Sequence, residues 1–140
     1  MKEVFLLLFT SLLFVSCSSD DEAIIAAPLT ENDIFGKWEV AHVQKTSGDT
    51  TETLNGFVFD FKTNNKLMIT KESEAFSIEG SWSIMEVENG LQILIPTKEA
   101  PLRALHNEWD VNYLSSLNIS LSGLSNDENG NMEHVNFEKI

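Results

Sequence analysis

Short stretches of alternating apolar and polar residues recur along residues 36–139. Because successive side chains of a β-strand point to opposite faces of a sheet, this two-residue period is typical of strands with one buried face. Residues 57–61 and 117–121 show it most clearly. No stretch of this region keeps a helical period over several turns, although residues 102–105 are compatible with a single helical turn. The pattern predicts an all-β domain of eight strands.

The connections between the predicted strands alternate in length. Three are tight and lie at residues 63–65, 88–90 and 115–116. Four are longer and lie at residues 46–55, 71–79, 97–108 and 124–131. In an up-and-down antiparallel array, alternate connections lie at opposite ends, so one end carries the tight turns and the other carries the long loops. Because an open sheet would leave two unpaired edges, we expect the strands to close into an antiparallel up-and-down barrel, with a sandwich of crossed connections as the alternative.

Alternation also assigns one face of each predicted strand to the barrel interior. The inward side chains are Trp38, Val40, Phe57, Phe59, Phe61, Leu67, Ile69, Trp82, Ile84, Leu91, Ile93, Ile95, Trp109, Val111, Leu117, Ile119, Leu121, Val135 and Phe137. An eight-stranded barrel is just wide enough to be filled by side chains or to hold one small ligand. Since almost no charged residue belongs to this face, an unpaired ion there would be strongly penalised, and any pocket is expected to favour an apolar ligand.

The first residues of the chain have the pattern of an export signal. Lys2 precedes an apolar run at residues 4–15, which is followed by Ser16 and the only cysteine, Cys17. The run has the length of the hydrophobic part of a signal peptide and is shorter than the ~20 residues of a membrane-spanning helix. The pattern therefore predicts a signal peptide over residues 1–16.

The residues around Cys17 resemble the signal of bacterial lipoproteins. The resemblance implies cleavage before Cys17 and lipidation of its thiol and its new amine, which would anchor the chain in a membrane. The alternative is an ordinary secretory signal in which Cys17 is incidental. Residues 18–22 are mostly acidic and resemble the tag that exports some Bacteroidetes lipoproteins to the cell surface, although a plain solvated tether is the other interpretation.

These features predict an outer-membrane lipoprotein that faces the periplasm or the cell surface. The lipidated cysteine and its acidic tether would occupy residues 17–33, and the barrel domain would occupy residues 34–140. Thr30 and Asp33 have the spacing that caps a short turn just before the barrel.

Composition narrows the function classes. The chain of 140 residues is 42% hydrophobic and 22% charged, as expected of one globular domain. Its 22 acidic residues against 9 basic ones give a net charge of −13, so nucleic acid is not an expected partner. A single cysteine excludes an intramolecular disulfide and a multi-cysteine zinc site. Nucleophile-elbow, zinc-protease and phosphate-loop motifs are absent from the sequence, so we expect no enzymatic activity, no cofactor and no metal.

The Gly36-x-Trp38 motif at the start of the first strand resembles the signature of lipocalins. Together with Gly80-x-Trp82, it makes residues 34–140 similar to the small lipocalin-like lipoproteins of Bacteroidetes. The resemblance implies a lipocalin-like barrel in which Gly36 and Trp38 close one end. It also implies that the first long loop lies over the open end.

A ligand at the open end would contact inward residues near the mouth. The residues that we expect to bind it are Val40, His42, Phe59, Ile69, Ile93 and Trp109. His42 belongs to this set because it shares parity with Trp38 and Val40. Its alternative position is on the rim with a hydrogen bond to a loop, and the wet environment of a strand near the mouth favours this alternative.

Two functions are open at this point. The first is a lipid-anchored binding protein for a small apolar ligand, with loops 46–55 and 97–108 as its gate. The second is a surface-exposed interaction or inhibitor lipoprotein whose filled barrel holds no small molecule and whose loops contact an envelope protein. A lipocalin-like fold does not decide between them, because one fold supports many functions.

Overall fold

An antiparallel sheet that closes on itself forms the body of the protein. The computed structural model describes residues 28–124 and 132–140. The strands are β1 (Gly36–Lys45), β2 (Gly48–Asp49), β3 (Phe57–Lys62), β4 (Lys66–Lys71), β5 (Phe76–Met85), β6 (Gly90–Leu94), β7 (Asn107–Leu114), β8 (Asn118–Leu124) and β9 (Met132–Lys139). Within the described residues, eight strands form the wall, because β1 pairs with both β3 and β9 while the two-residue β2 pairs with the end of β1. The predicted eight-stranded up-and-down barrel is confirmed.

Helical structure is short wherever the chain is described. One α-helical turn, α1 (Glu31–Ile34), precedes the barrel, and 3-10 turns lie at Thr51–Leu54, Glu72–Glu74 and Leu102–Leu105. The last of these is the single helical turn that the sequence suggested. Across residues 28–124 and 132–140, none of the helices has the length and apolar character needed to cross a membrane.

Asparagines make the tight turns at one end of the barrel. Asn64 and Asn65 adopt φ angles of 63° and 60° between β3 and β4, and Asn89 adopts 52° between β5 and β6. This left-handed region is costly for most residues but is tolerated by asparagine, which therefore suits tight turns between strands. Both turns lie where the sequence predicted them.

The third connection is much shorter than predicted. Residues 71–79 were expected to form a long loop, but β5 begins at Phe76 and pairs with β4 from Lys71↔Phe76 onwards. A 3-10 turn and Ala75, whose φ of 50° is left-handed, reverse the chain within four residues, 72–75. The open end therefore carries three longer connections, at residues 46–56, 95–106 and 125–131, and the last of these lies outside the described residues.

The buried core matches most of the predicted inward face. The fully buried large side chains are Trp38, Trp82, Trp109, Phe59, Phe61, Phe137, Ile34, Leu67, Ile69, Leu91, Ile93 and Ile95. Ile84 is half-buried against this cluster. Leu117 was predicted to face inward and is instead 62% exposed, because it lies in the turn that Ser115 stabilises just before β8 begins at Asn118.

A bulge in β1 changes which residues face inward. In the ladder with β9, Val40 and His42 pair with successive residues, so Ala41 between them has no partner. One extra residue on a strand reverses the alternation beyond it. Val43 is accordingly buried at 3% exposure, whereas the side chain of His42 is 43% exposed. The inward position predicted for His42 is therefore wrong.

Aromatic rings fill the lower and middle parts of the barrel. Phe59 and Phe137 contact edge to face with ring centroids 5.3 Å apart, and Phe61 contacts Trp82 in the same way at 5.7 Å. The indole nitrogen of Trp82 donates to the carbonyl of Lys62 at 3.0 Å, so its polar group is satisfied within the core.

The closed end is built from β1 and the turn before it. The indole nitrogen of Trp38 donates to the carbonyl of Ile34 at 2.8 Å, and both side chains are 0% exposed. Asp33 accepts hydrogen bonds from the amide and the hydroxyl of Thr30, at 2.9 and 2.6 Å, which confirms the predicted cap. Gly36 has a φ of 120°, which favours glycine, at the point where the chain turns into β1.

Candidate functional site

Two segments cover the open end of the barrel. Leu54 of the first segment (residues 46–56) and Leu105 of the second (residues 95–106) are 3% and 1% exposed, so both point down into the core. The indole nitrogen of Trp109 donates to the carbonyl of Leu105 at 3.1 Å, which ties the second segment to the barrel wall. We call residues 46–56 and 95–106 the two lid segments.

A cavity of about 170 Å³ lies under the lid segments. Its lining comes from the upper ends of β1 and β9 and from both lid segments, and comprises Val43, Lys45, Thr50, Thr53, Leu54, Ala100, Pro101, Ala104, Leu105, Glu133 and Val135. Most of these side chains are apolar. The volume is close to the roughly 150 Å³ of an apolar cavity that holds benzene. The cavity therefore has room for one small molecule.

Glu133 is the buried carboxylate in this cavity. Its side chain is 1% exposed, and the ammonium nitrogen of Lys45 lies 2.9 Å from its Oε1. The ammonium of Lys45 therefore satisfies Oε1, whereas Oε2 has no hydrogen-bond donor among the described residues. A buried acceptor without a donor costs on the order of 1–3 kcal/mol, and a charged one costs more. The cavity thus contains an acceptor with unused hydrogen-bonding capacity.

His42 lies on the rim, beside the first lid segment. Its Nδ1 is 3.4 Å from the hydroxyl of Thr51 and 3.7 Å from a carboxylate oxygen of Asp49. This confirms the alternative position that the sequence left open for His42. The hydroxyl of Thr51 also accepts the amide hydrogen of Val43 at 2.8 Å, so the same side chain fastens the lid segment to β1.

The hydrogen bonds of Thr51 also determine the electrostatics of this corner. Its hydroxyl and its amide both donate to Asp49 Oδ1, at 2.6 and 2.8 Å. The hydroxyl first, and then the amide, stabilise the carboxylate and lower the pKa of Asp49, and the nearby His42 adds a smaller effect in the same direction. Asp49 is therefore an anion at neutral pH and holds the turn between β1 and β2.

The outer surface of the second lid segment is more polar than the surface that faces the cavity. A shallow cleft there is lined by Ile95, Pro96, Thr97, Lys98, Arg103 and His106. Nδ1 of His106 lies 2.8 Å from the carbonyl oxygen and 3.0 Å from the amide nitrogen of Ile95, which holds the imidazole against the backbone. Lys98 and Arg103 are exposed. This segment thus presents apolar side chains to the cavity and basic side chains to solvent.

The predicted ligand-binding residues lie below the cavity. Val40, Phe59, Ile69, Ile93 and Trp109 are between 0% and 7% exposed and belong to one core cluster. They are not among the residues that line the cavity. Their role in ligand binding stays a prediction, and the predicted lipidation site, Cys17, lies outside the described residues.

Sequence reasoning missed the two charged residues of the cavity, although a signal for one was present. Glu133 has the same parity as Val135 and Phe137, which were both assigned to the interior, so alternation along β9 places it inside. Lys45 has the parity of Val43, and its position became visible only with the bulge at Ala41. Among the described residues, no cluster of three histidine, cysteine or acidic side chains has a geometry suited to a metal ion.

Comparison with known proteins supports the fold. No protein-family model and no curated protein matches the sequence. The structure is similar to the crystal structure of a DUF4847 family protein from Bacteroides vulgatus, with a TM-score of 0.51 and 14% sequence identity. The similarity covers 75% of this chain and 92% of that chain. At this level of identity it concerns the fold alone, and it assigns no role to any residue.

Proposed function

We propose that this protein is a lipid-anchored, lipocalin-like binding protein of the bacterial cell envelope. In this proposal it holds a small, mainly apolar molecule in the cavity at the barrel mouth and has no catalytic activity. The observation that carries the proposal is the cavity itself. It lies above a filled core, is lined by Val43, Leu54 and Leu105, and is partly open between the two lid segments. A barrel that is filled in its lower part and has a pocket between the loops at its mouth is typical of a small-molecule site.

Anchoring through Cys17 is compatible with access to this cavity. The amide of Leu29 donates to the side chain of Asn89 at 2.8 Å, so the chain enters the barrel at the closed end. The 12 residues from Cys17 to Leu29 reach at most about 40 Å when extended. In the anchored protein the closed end would then lie within about 40 Å of the membrane surface.

Native mass spectrometry of the full chain, purified from an envelope fraction in mild detergent, tests the proposal without a guess about the ligand. Ala104 lines the cavity and is half-buried, so Ala104→Phe would fill the space. The matched control is Val87→Phe, because Val87 is 98% exposed at the closed end. We expect a retained small molecule that Ala104→Phe removes and Val87→Phe leaves in place.

The filled lumen favours a second candidate function. Most pockets for drug-sized ligands measure about 300–1,000 Å³, well above the 170 Å³ found here. We therefore keep the alternative of a surface interaction or inhibitor lipoprotein, in which the lid segments contact an envelope protein. Retention of no small molecule by either the parent protein or the Val87→Phe variant would favour this alternative over a binding protein.

A further inference from the structure

The carboxylate of Glu133 gives the mouth cavity a chemical preference beyond apolar character. It is 1% exposed and lines the cavity, and its Oε2 lacks a hydrogen-bond donor among the described residues. An ionised carboxylate has about four acceptor sites. A purely apolar ligand would exclude water from this group and leave it unsatisfied. A ligand that donates a hydrogen bond would remove that penalty.

The charge balance of the cavity argues against a charged ligand. The ammonium of Lys45, 2.9 Å from Glu133 Oε1, already neutralises the carboxylate. The Lys45 side chain is 25% exposed, so its charge keeps some contact with water. A third charge of either sign would be desolvated in a site otherwise lined by groups such as Val43 and Leu105, without a counter-ion of its own. A neutral O–H or N–H group donates a hydrogen bond to Glu133 without the free-energy cost of desolvating a third charge.

The size of the cavity limits the apolar part of the ligand. About 170 Å³ is slightly more than the roughly 150 Å³ cavity that accommodates benzene. A single aromatic ring or a short branched alkyl chain fits this space, whereas a fatty acid chain or a sterol does not.

We propose that the mouth cavity selects a neutral molecule with a benzene-sized apolar frame and one hydrogen-bond donor, of the phenol or small-alcohol class. Glu133 accepts the hydrogen bond of this donor, and the 2.9 Å contact with Lys45 holds the carboxylate in place. This inference rests on the proposed function, because it names the ligand class of the same cavity.

Phenol and toluene provide a matched pair of probes, since they differ in one hydroxyl against one methyl group. Their dissociation constants for the full chain in detergent would be measured by the chemical shifts of the Trp109 indole, whose nitrogen contacts the second lid segment. The variant for comparison is Lys45→Met with Glu133→Leu, which replaces both charged groups by apolar ones and leaves neither buried and unpaired. Glu133→Gln is a second variant that keeps the size of the side chain.

The ratio of the toluene dissociation constant to the phenol dissociation constant should be about 10- to 100-fold larger for the parent protein than for the double variant. The reason is that hydrogen bonds to charged groups are stronger than those between neutral groups. Glu133→Gln should lose part of this preference, because the amide oxygen still accepts a hydrogen bond but carries no charge. An unchanged phenol-to-toluene ratio in the folded double variant, or in Glu133→Gln if the double variant does not fold, would overturn the inference. It would leave the proposed binding function intact, since both probes would still bind.

Two other results are equally informative. Benzylamine, which is a cation at neutral pH, should bind more weakly than phenol, and tighter binding would overturn the assignment of a neutral ligand. Binding of none of the three probes would contradict the ligand class, and the native mass spectra described above would then decide separately whether the cavity holds any molecule.

Discussion

Lys45 and Glu133 are opposite each other in the β1–β9 ladder, and their side chains meet at 2.9 Å inside the barrel mouth. The pair is made by two strands that are far apart in sequence. It combines a nearly fully buried carboxylate with a partly exposed ammonium. The chain has a net charge of −13, and one of its few basic residues lies beside this buried carboxylate. Without that partner, the buried charge would destabilise the folded protein.

Removal of one partner should cost more stability than removal of both. Lys45→Met would leave the Glu133 carboxylate buried without a counter-charge, and we expect a loss of about 2–3 kcal/mol in the free energy of unfolding, reduced from the fully buried case because Lys45 is 25% exposed. Lys45→Met combined with Glu133→Leu should stay within about 1 kcal/mol of the parent. Urea denaturation of both single variants and the double variant gives the coupling energy. Additive effects would show that the pair does not interact.

The lid segments allow a matched test of the cavity. Leu105 and Leu102 are 1% and 4% exposed in the same 3-10 turn, but Leu105 lines the cavity and Leu102 is not among its lining residues. Truncation of either to alanine should lower stability by about 2–4 kcal/mol. An apolar probe such as toluene should raise the melting temperature of Leu105→Ala more than that of Leu102→Ala, because only Leu105→Ala enlarges the cavity in which toluene binds. Equal responses in thermal denaturation would contradict the assigned position of the cavity.

The closed end depends on one buried hydrogen bond. Trp38→Phe would remove the indole N–H that donates to the Ile34 carbonyl at 2.8 Å, and it would leave a small void. We expect a loss of about 2–4 kcal/mol in chemical denaturation from the unsatisfied carbonyl and the lost packing. Val87→Ala, at a site 98% exposed on the same end, should change stability by less than about 0.5 kcal/mol.

The first lid segment should respond to acid. The pKa of Asp49 is lowered mainly by the Thr51 hydroxyl, so ionised Asp49 stabilises the folded state at neutral pH, and this contribution is lost as the pH falls through the lowered pKa. Thr51→Val removes the hydroxyl and should raise the pKa of Asp49 towards its ordinary value, whereas Thr51→Ser keeps the hydroxyl and should preserve the shift. Carboxyl carbon chemical shifts between about pH 2 and 6 measure both. The same pKa in both variants would rule out the hydroxyl as the cause.

Membrane attachment should depend on Cys17. Cys17→Ser would remove the thiol that the lipoprotein signal resemblance marks for acylation, and the protein should move from the membrane fraction to the soluble fraction after cell lysis. Ser18→Ala, one residue further along, is the control and should leave the distribution unchanged. Retention of the Cys17→Ser variant in washed membranes would contradict lipid anchoring.

Strand order and barrel closure followed from the sequence because both depend on local signals. The two-residue period placed Phe57, Phe59 and Phe61 on the buried face, and the asparagine turns at Asn65 and Asn89 fixed which strands are neighbours. An open sheet of eight strands would leave the backbone groups of its two edge strands unpaired, and closure into a barrel pairs them. These inferences need no knowledge of how distant segments pack.

Only the tertiary structure decided which side chains of β1 face inward after Ala41 and where the cavity lies. Alternation predicts a face only while two strands stay in register, and the bulge opposite β9 reversed it, so that Val43 and Lys45 turned inward and His42 turned out. The cavity exists because Leu54 and Leu105, from segments about fifty residues apart, pack over the barrel without filling it. A void of this kind is the difference between the volume enclosed by the strands and the volume of the side chains that reach it. That difference is a property of the assembled barrel and is not encoded in any one segment.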